Sequence, residues 1–237
     1  MKKRILSILL LCCMVLIMLP TTVLAADGPM DTIPKYDVSI DVYNRTSDIS
    51  IKDSRSYYIY SSVPDKLRDT WAWDKKIFIK GDKTAPHVFI DGVNIEMSPS
   101  SKGPAIELNK KASAYIYFIG KNSSLQGADG RAAIQKNRSE GQLYVLARTG
   151  TTVTCKGGYR AAGIGGSWAI RNIGDSMFNM DMYGHGVNMH FGSQSNPDYW
   201  GGTINATGGE YGAGIGAGSW GHSGHCLLYT SPSPRDS

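Results

Sequence analysis

Cysteine is scarce in this sequence, and its placement predicts no disulfide. Of four cysteines, Cys12 and Cys13 lie in an apolar N-terminal run and Cys226 lies in an atypical tail. Cys155 alone remains in the body of the chain, in a strand-like stretch that predicts a buried small hydrophobic side chain. The sequence therefore excludes the class of small exported domains that depend on disulfides.

An excess of positive charge is also lacking once the N-terminus is set aside. Lys2, Lys3 and Arg4 belong to a predicted signal peptide, and without them the formal net charge falls from +5 to +2. No run of basic residues occurs elsewhere. A nearly neutral chain gives no electrostatic footprint for nucleic acid, so no nucleic-acid partner is predicted.

Residue patterns that hold metal ions are missing as well. The histidines have no cysteine or carboxylate partner at a recurring metal-ligand spacing, and they include His185, His190, His222 and His225. The glycine pairs of the repeats described below lack the aspartate of calcium-binding nonapeptide arrays. We therefore predict no metal ion and no cofactor.

The N-terminus has the layout of a secretory signal peptide. A basic start is followed by the apolar run Ile5–Leu19, the breaker Pro20 and a small-residue cleavage site ending at Ala25. We assign residues 1–25 to the signal peptide and residues 26–48 to a polar lead-in. The mature protein is expected to be secreted or attached to the cell surface, with no membrane span after cleavage.

The dominant feature of the sequence is an internal repeat. Residues 152–168 and 203–220 share an apolar residue, a glycine pair, a second apolar residue between glycines and a closing tryptophan. The matching pairs are Val153 and Ile204, Gly157 and Gly208, Ile164 and Ile215, all at an offset of 51, and then Trp168 and Trp220, with one extra residue in the second unit. An internal repeat of this kind is a stronger indication of the architecture than local secondary-structure propensity.

Weaker copies of the repeat extend towards the N-terminus. Ile106, Ile134 and Ile164 each follow two small residues or a proline and a small residue, at spacings of 28 and 30. A partner apolar residue lies upstream of these three isoleucines and of Ile215, namely Ile95, Leu125, Val153 and Ile204. A third apolar stretch precedes the first three pairs, at His87–Asp91, Tyr115–Ile119 and Leu143–Leu146. Three short strands per period of about 25–30 residues are typical of a parallel β-solenoid. A β-sandwich with glycine-rich turns is the alternative.

The C-terminal segment 226–237 departs from the repeat. Cys226–Asp236 resembles the translation of a sequencing adaptor, so we expect this segment to be an artefact and the natural chain to continue beyond His225. The repeat domain is assigned to residues 49–225 and is expected to be truncated at its C-terminal end.

Over residues 49–225, the order of motifs resembles a known group of proteins. Asp91–Ile95, Pro104–Ile106 and Gly120–Gly127 precede the Ala-Gly-Ile-Gly repeats. This order resembles the secreted bacterial right-handed parallel β-helix proteins of the pectate-lyase-like superfold, and it is most similar to their non-catalytic carbohydrate-binding domains. The resemblance implies a right-handed β-helix and a polysaccharide ligand.

An enzyme is a less favoured interpretation. Gly184-His185-Gly186 resembles a polygalacturonase motif, but the aspartate pair, the Asn-Thr-Asp and the Arg-Ile-Lys of that pattern are missing. Glycoside hydrolysis needs two carboxyl groups that face the scissile bond. A pectate lyase would need clustered carboxylates for calcium, whereas Asp91, Asp129 and Asp198 are scattered. We therefore predict no hydrolase or lyase activity.

Aromatic residues provide the candidate site. The predicted carbohydrate-binding residues are Trp168, Trp220, Tyr159, Tyr211 and Trp200, all at or beside the glycine-rich corners. A solenoid would bring corner residues of successive turns into a column, and sugar rings stack on exposed aromatic rings. The alternative is that the tryptophans seal the corners by packing. Two functions follow: a carbohydrate-binding module, or a structural spacer or adhesin stalk without a ligand.

Overall fold

A computed structural model shows that the regular secondary structure of the described residues is almost entirely β. It describes residues 36–81, 83–101, 103–109, 111–136, 140–168, 185–193, 195–219 and 226–228. These residues form sixteen strands and two 3-10 turns, Asp65–Leu67 and Pro99–Ser101, and none of them is in an α-helix. The all-β part of the predicted fold class is therefore confirmed. The signal peptide, Trp220 and the histidines at 222 and 225 lie outside the described residues.

The strands are short, with one exception of 14 residues. In chain order they are β1 Val38–Asp41, β2 Ile49–Ile51, β3 Ser56–Tyr60, β4 Ile77–Lys80, β5 His87–Asp91, β6 Asn94–Glu96, β7 Ile106–Asn109, β8 Ala114–Ile119, β9 Ser123–Gln126, β10 Ile134–Lys136, β11 Leu143–Lys156, β12 Ile164–Gly165, β13 Met189–Phe191, β14 Gly201–Thr207, β15 Ile215–Gly216 and β16 Cys226–Leu228. The three predicted apolar stretches that begin each period correspond to β5, β8 and the first part of β11.

The strands form two sheets, and within each sheet every pair of neighbouring strands is parallel. The smaller sheet has the order β15-β12-β10-β7-β4-β2. The larger sheet has ten strands, with the main path β1-β3-β5-β8-β11-β13-β16. The long strand β11 also pairs with β9 and β14, so its second half belongs to a further row of strands, β6-β9-β11-β14. The chain thus returns to each row with the same strand direction.

Two strands lie outside the predicted domain limits. β1 falls within the segment that the sequence analysis interpreted as a polar lead-in, and it pairs with β3 from Val38 to Asp41. β16 falls within the predicted artefact tail, and it pairs with β13 from Cys226 to Leu228. The sheet therefore begins before Ile49 and includes three residues of the tail.

The isoleucines that recur in the sequence form a ladder in the smaller sheet. Ile106, Ile134 and Ile164 are in register on neighbouring parallel strands, and each is completely buried. Ile215 follows in register on the outermost strand, where it is only partly buried. The ladder also continues in the other direction to Ile77 and Ile49. Stacking of branched side chains at about 4.8 Å per strand gives a continuous apolar layer in the core.

The predicted upstream partner residues do not all lie in one row of the sheet. Leu125 pairs with Cys155 and not with Val153, and Cys155 in turn pairs with Ala206. Val153 instead lies between Ser123 and Ile204. Cys155 is completely buried, as predicted, and this burial raises the pKa of its thiol.

A lysine interrupts the apolar row next to the isoleucine ladder. Lys136 is in register with Leu108, which pairs with Ile79, so its side chain occupies a core position and is only 1% exposed. Its Nζ donates to the carbonyl oxygen of Glu140 at 2.8 Å. Burial lowers the pKa of Lys136 to about 8, because the charged ammonium group is poorly solvated there.

Replacing Lys136 with methionine is expected to stabilise the protein at pH 7. The unfolded chain keeps the lysine proton up to its ordinary pKa near 10.4, whereas the folded chain releases it near pH 8. Wild-type stability should therefore rise between about pH 8 and 10.4, and the penalty is present in full below pH 8. Lys136→Met should remove this rise and raise the free energy of unfolding at pH 7 by up to about 3 kcal/mol.

Urea unfolding from pH 7 to 10.5 measures the effect of this substitution. The exposed Lys156, at the end of β11, provides the control substitution Lys156→Met, which should change neither the stability nor its pH dependence. A Lys136→Met protein that is less stable than wild type at pH 7 would contradict the assignment.

Candidate functional site

A glycine-rich corner precedes each isoleucine of the ladder. It has the same backbone conformation in three successive copies of the repeat. Gly130, Arg160 and Tyr211 occupy equivalent places, because the Gly130 amide donates to the carbonyl of Tyr159 and the Arg160 amide donates to that of Glu210, each at 2.9 Å. All three residues have a positive φ, of 72°, 60° and 63°. Tyr211 is therefore equivalent to Arg160, and Tyr159 is equivalent to Glu210.

The left-handed backbone of these corners is unfavourable for residues with a side chain. Glycine adopts it freely, as at Gly130, whereas a residue with a Cβ pays roughly 1–2 kcal/mol. Arg160 and Tyr211 nevertheless occupy it in consecutive copies. Strained backbone that persists at one place often marks a functional site, so these two side chains are candidates for function.

Three aromatic rings surround the guanidinium group of Arg160. Its Cζ atom lies 4.9 Å from the ring centre of Tyr159, 5.0 Å from that of Trp168 and 5.7 Å from that of Tyr211. Tyr159 and Trp168 also meet edge to face, with ring centres 6.4 Å apart. Each cation–π contact is worth about 0.5–1 kcal/mol at an exposed site. We call the group Tyr159, Arg160, Trp168 and Tyr211 the aromatic corner.

The aromatic corner presents unusually exposed rings. Tyr159 is 40% exposed and Tyr211 is 68% exposed, and in the described part of the chain only Leu67, at 40%, is a comparably exposed large apolar side chain. Trp168 is half-buried. The structure thus brings three predicted site residues together around an arginine that the sequence analysis did not select.

Trp168 covers the corner of the preceding copy. Its amide donates to the carbonyl of Gly130 at 2.9 Å, and a Cβ on Gly130 would lie 3.5 Å from the indole. The Ser219 amide makes the equivalent bond to the carbonyl of Arg160, so Ser219 takes the place of Trp168 in the next copy. The predicted equivalence of Trp168 with Trp220 is therefore displaced by one residue, and Trp220 itself lies outside the described residues.

Trp200 is not part of this surface. It is only 4% exposed, with its ring 5.1 Å from that of Tyr117 and edge-on to that of Tyr199 at 4.8 Å. Its Nε1 is buried without a hydrogen-bond partner. A buried ring cannot stack against a polysaccharide, so the prediction that placed Trp200 in the site is corrected: this tryptophan packs on the strands.

Asp91 and His190, which the sequence analysis weighed as metal-ion ligands, have structural partners. Asp91 accepts hydrogen bonds from the Lys121 amide and from the Tyr58 hydroxyl, both at 2.8 Å. His190 stacks on Tyr144 with its Nε2 2.8 Å from the Gln142 amide oxygen, and burial lowers its pKa. Within the described ranges, no group of three or more metal-ligating side chains occurs.

The structure contains a polar groove of about 600 Å³ that the sequence analysis did not predict. The 3-10 turn Asp65–Leu67 and the residues that follow it form one wall of the groove. The outward polar side chains of β6, β9 and β11 form its floor, with Asn94, Ser124 and Thr154 in register. The Arg68 guanidinium donates to two backbone carbonyls, and Lys121 pairs with Asp65 at 2.7 Å. No aromatic ring is among its lining residues, so the groove offers hydrogen bonds without a stacking surface.

Comparison of the chain with protein-family models, with curated proteins and with solved structures finds no match. Among the described residues, no helix is long and apolar enough to cross a membrane.

Proposed function

We propose that this protein is a secreted or cell-surface carbohydrate-binding module, built as a right-handed parallel β-helix with three short strands per turn. The parallel pairing of every strand supports this winding, as does the return of the chain to each row of strands. A polysaccharide is the proposed partner, and no enzymatic activity is proposed.

The observation that carries the proposal is the exposure of two tyrosines in adjacent copies of one corner. Tyr159 and Tyr211 both lie against the Arg160 guanidinium, and the half-buried Trp168 backs the group. Sugar rings stack their C–H faces on such exposed rings, much as other apolar groups pack on aromatic faces. A spacer would need only the ladder and the corners, and it would have no use for two large exposed rings.

One observation favours the alternative of a structural spacer. Arg160 and Trp168 hold the corner together, and the ring of Trp168 covers the preceding corner. Packing alone thus accounts for Trp168. It does not account for the 68% exposure of Tyr211.

Affinity electrophoresis in gels that contain neutral or acidic polysaccharides tests the proposal. We expect Tyr159→Ala and Tyr211→Ala each to weaken retardation by about fivefold in affinity, which corresponds to a contribution of about 1 kcal/mol per ring. Leu67→Ala is the matched control, because Leu67 is as exposed as Tyr159 but lies in the 3-10 turn. If no glycan in a broad panel retards the wild-type protein, binding is excluded and the spacer remains.

A further inference from the structure

Among the described residues, none accepts a hydrogen bond from the guanidinium group of Arg160. Its Nε is buried without a hydrogen-bond partner, and in the described part of the chain no carboxylate forms an ion pair with it. Its backbone, by contrast, is fully used, with the amide bonded to Glu210 and the carbonyl to Ser219. The side chain therefore keeps its hydrogen-bond donors for something other than this fold.

Other arginines in the described structure show how such donors are normally used. Arg55 pairs with Asp53 at 3.0 Å, Arg68 donates to two carbonyls, and Arg45 donates to the carbonyl of Ser47 at 2.9 Å. Arg148 is similar to Arg160 in that it lies over a ring, that of Tyr199 at 5.3 Å, but it contacts one ring and has no left-handed backbone. Arg160 combines free donors with three flanking rings.

The ring contacts use none of the hydrogen-bond donors of Arg160, of which the buried Nε cannot reach a ligand. Aromatic rings hold a guanidinium group through its charge and its flat face, and they accept none of its in-plane N–H bonds. The planar fork of N–H groups matches a carboxylate in a two-point arrangement. Asp129 and Glu210 take the place of Tyr159 in the preceding and following copies, and neither forms an ion pair with Arg160.

We propose that Arg160 makes this surface selective for polysaccharides that carry carboxylates, with a uronate group on the guanidinium edge and sugar rings against Tyr159 and Tyr211. The proposal rests on the carbohydrate-binding function proposed above. It also explains why an arginine occupies a left-handed position for which the preceding copy uses Gly130: the side chain is needed there although the backbone disfavours it.

Matched pairs of polymers test this selectivity on the full chain. Alginate and polygalacturonate are each compared with their own esters, which keep the sugar backbone and remove the charge. We expect the wild-type protein to bind each acid at least tenfold more tightly than its ester at low salt, and this preference should shrink as sodium chloride is added.

Three variants separate recognition from folding. Arg160→Gln should abolish the preference for the acid, so that acid and ester bind with equal affinity. Arg160→Gly should do the same with the fold retained, because the relief of the left-handed backbone offsets the loss of the three ring contacts. Arg148→Gln should keep the full preference, because Arg148 lies on a different ring.

Each outcome has a defined meaning. Equal binding of acid and ester by the wild type, or a preference that survives in both Arg160 variants, overturns the selectivity and leaves the carbohydrate-binding function standing. Binding to dextran sulfate but to neither polyuronate overturns the carboxylate assignment. A protein that binds neither acids, esters nor neutral glycans overturns the carbohydrate-binding function itself.

Discussion

Replacing Ile164 with aspartate is expected to leave no soluble folded protein. Ile164 is completely buried and lies in register between Ile134 and Ile215 in the isoleucine ladder. A carboxylate at this position would be surrounded by apolar side chains with no partner for its charge. An unpaired buried charge is among the most destabilising changes known, and its cost of several kcal/mol approaches the 5–15 kcal/mol stability of a whole domain.

Soluble yield and circular dichroism of the purified protein measure this outcome. Ile164→Val, which removes one methylene group, should fold and lose only about 1 kcal/mol. Ile215→Asp is the positional control, because Ile215 belongs to the same ladder but is partly buried on its outermost strand. It should be less damaging than Ile164→Asp. Wild-type stability of Ile164→Asp would rule out the ladder.

The ladder could be predicted from the sequence because its spacing is long and regular. Isoleucines at intervals of 28 and 30 residues can be stacked only if the chain returns to the same row of a sheet. The register of the second inward row, which contains Leu125 and Cys155, could not be predicted in the same way. Side chains alternate with a period of two along a strand, so pairing Leu125 with Cys155 or with Val153 leaves the same face inward. The hydrophobic pattern cannot distinguish these two registers.

The site was predicted in part, and its centre was missed. Selecting aromatic residues found Tyr159, Trp168 and Tyr211, but the offset of 51 between repeats places Arg160, and not Tyr159, opposite Tyr211. That arithmetic would have revealed the arginine. Nothing comparable in the sequence indicated that Trp200 is buried. Its ring packs against Tyr117, which is 83 positions away in the sequence and lies on β8. Only the folded chain shows which face of a tryptophan is covered.

The substitution Gly158→Ala, which adds a single methyl group, is expected to lower the free energy of unfolding by about 3 kcal/mol or more. A Cβ on this residue would lie 1.9 Å from the carbonyl oxygen of Ala128 in the preceding copy. Gly209 approaches the carbonyl of Gly158 in the same way, with a Cβ at 2.0 Å. Both contacts are with backbone, which cannot rotate away as a side chain can. Overpacking of this kind usually costs 1–3 kcal/mol and exceeds that range when the neighbour cannot move.

The matched control for Gly158→Ala is Gly150→Ala. Gly150 has a φ of 85° and nothing within 4 Å of a built Cβ, so this substitution tests backbone strain without a clash and should cost about 1 kcal/mol. At 2–4 °C per kcal/mol for a domain of this size, Gly158→Ala should lower the unfolding midpoint by roughly 6–12 °C. Gly158 immediately precedes Tyr159, so the same substitution should also weaken glycan binding. If Gly158→Ala unfolds within about 2 °C of wild type, the close stacking of successive corners is wrong, and with it the placement of Tyr159 and Tyr211 on one surface.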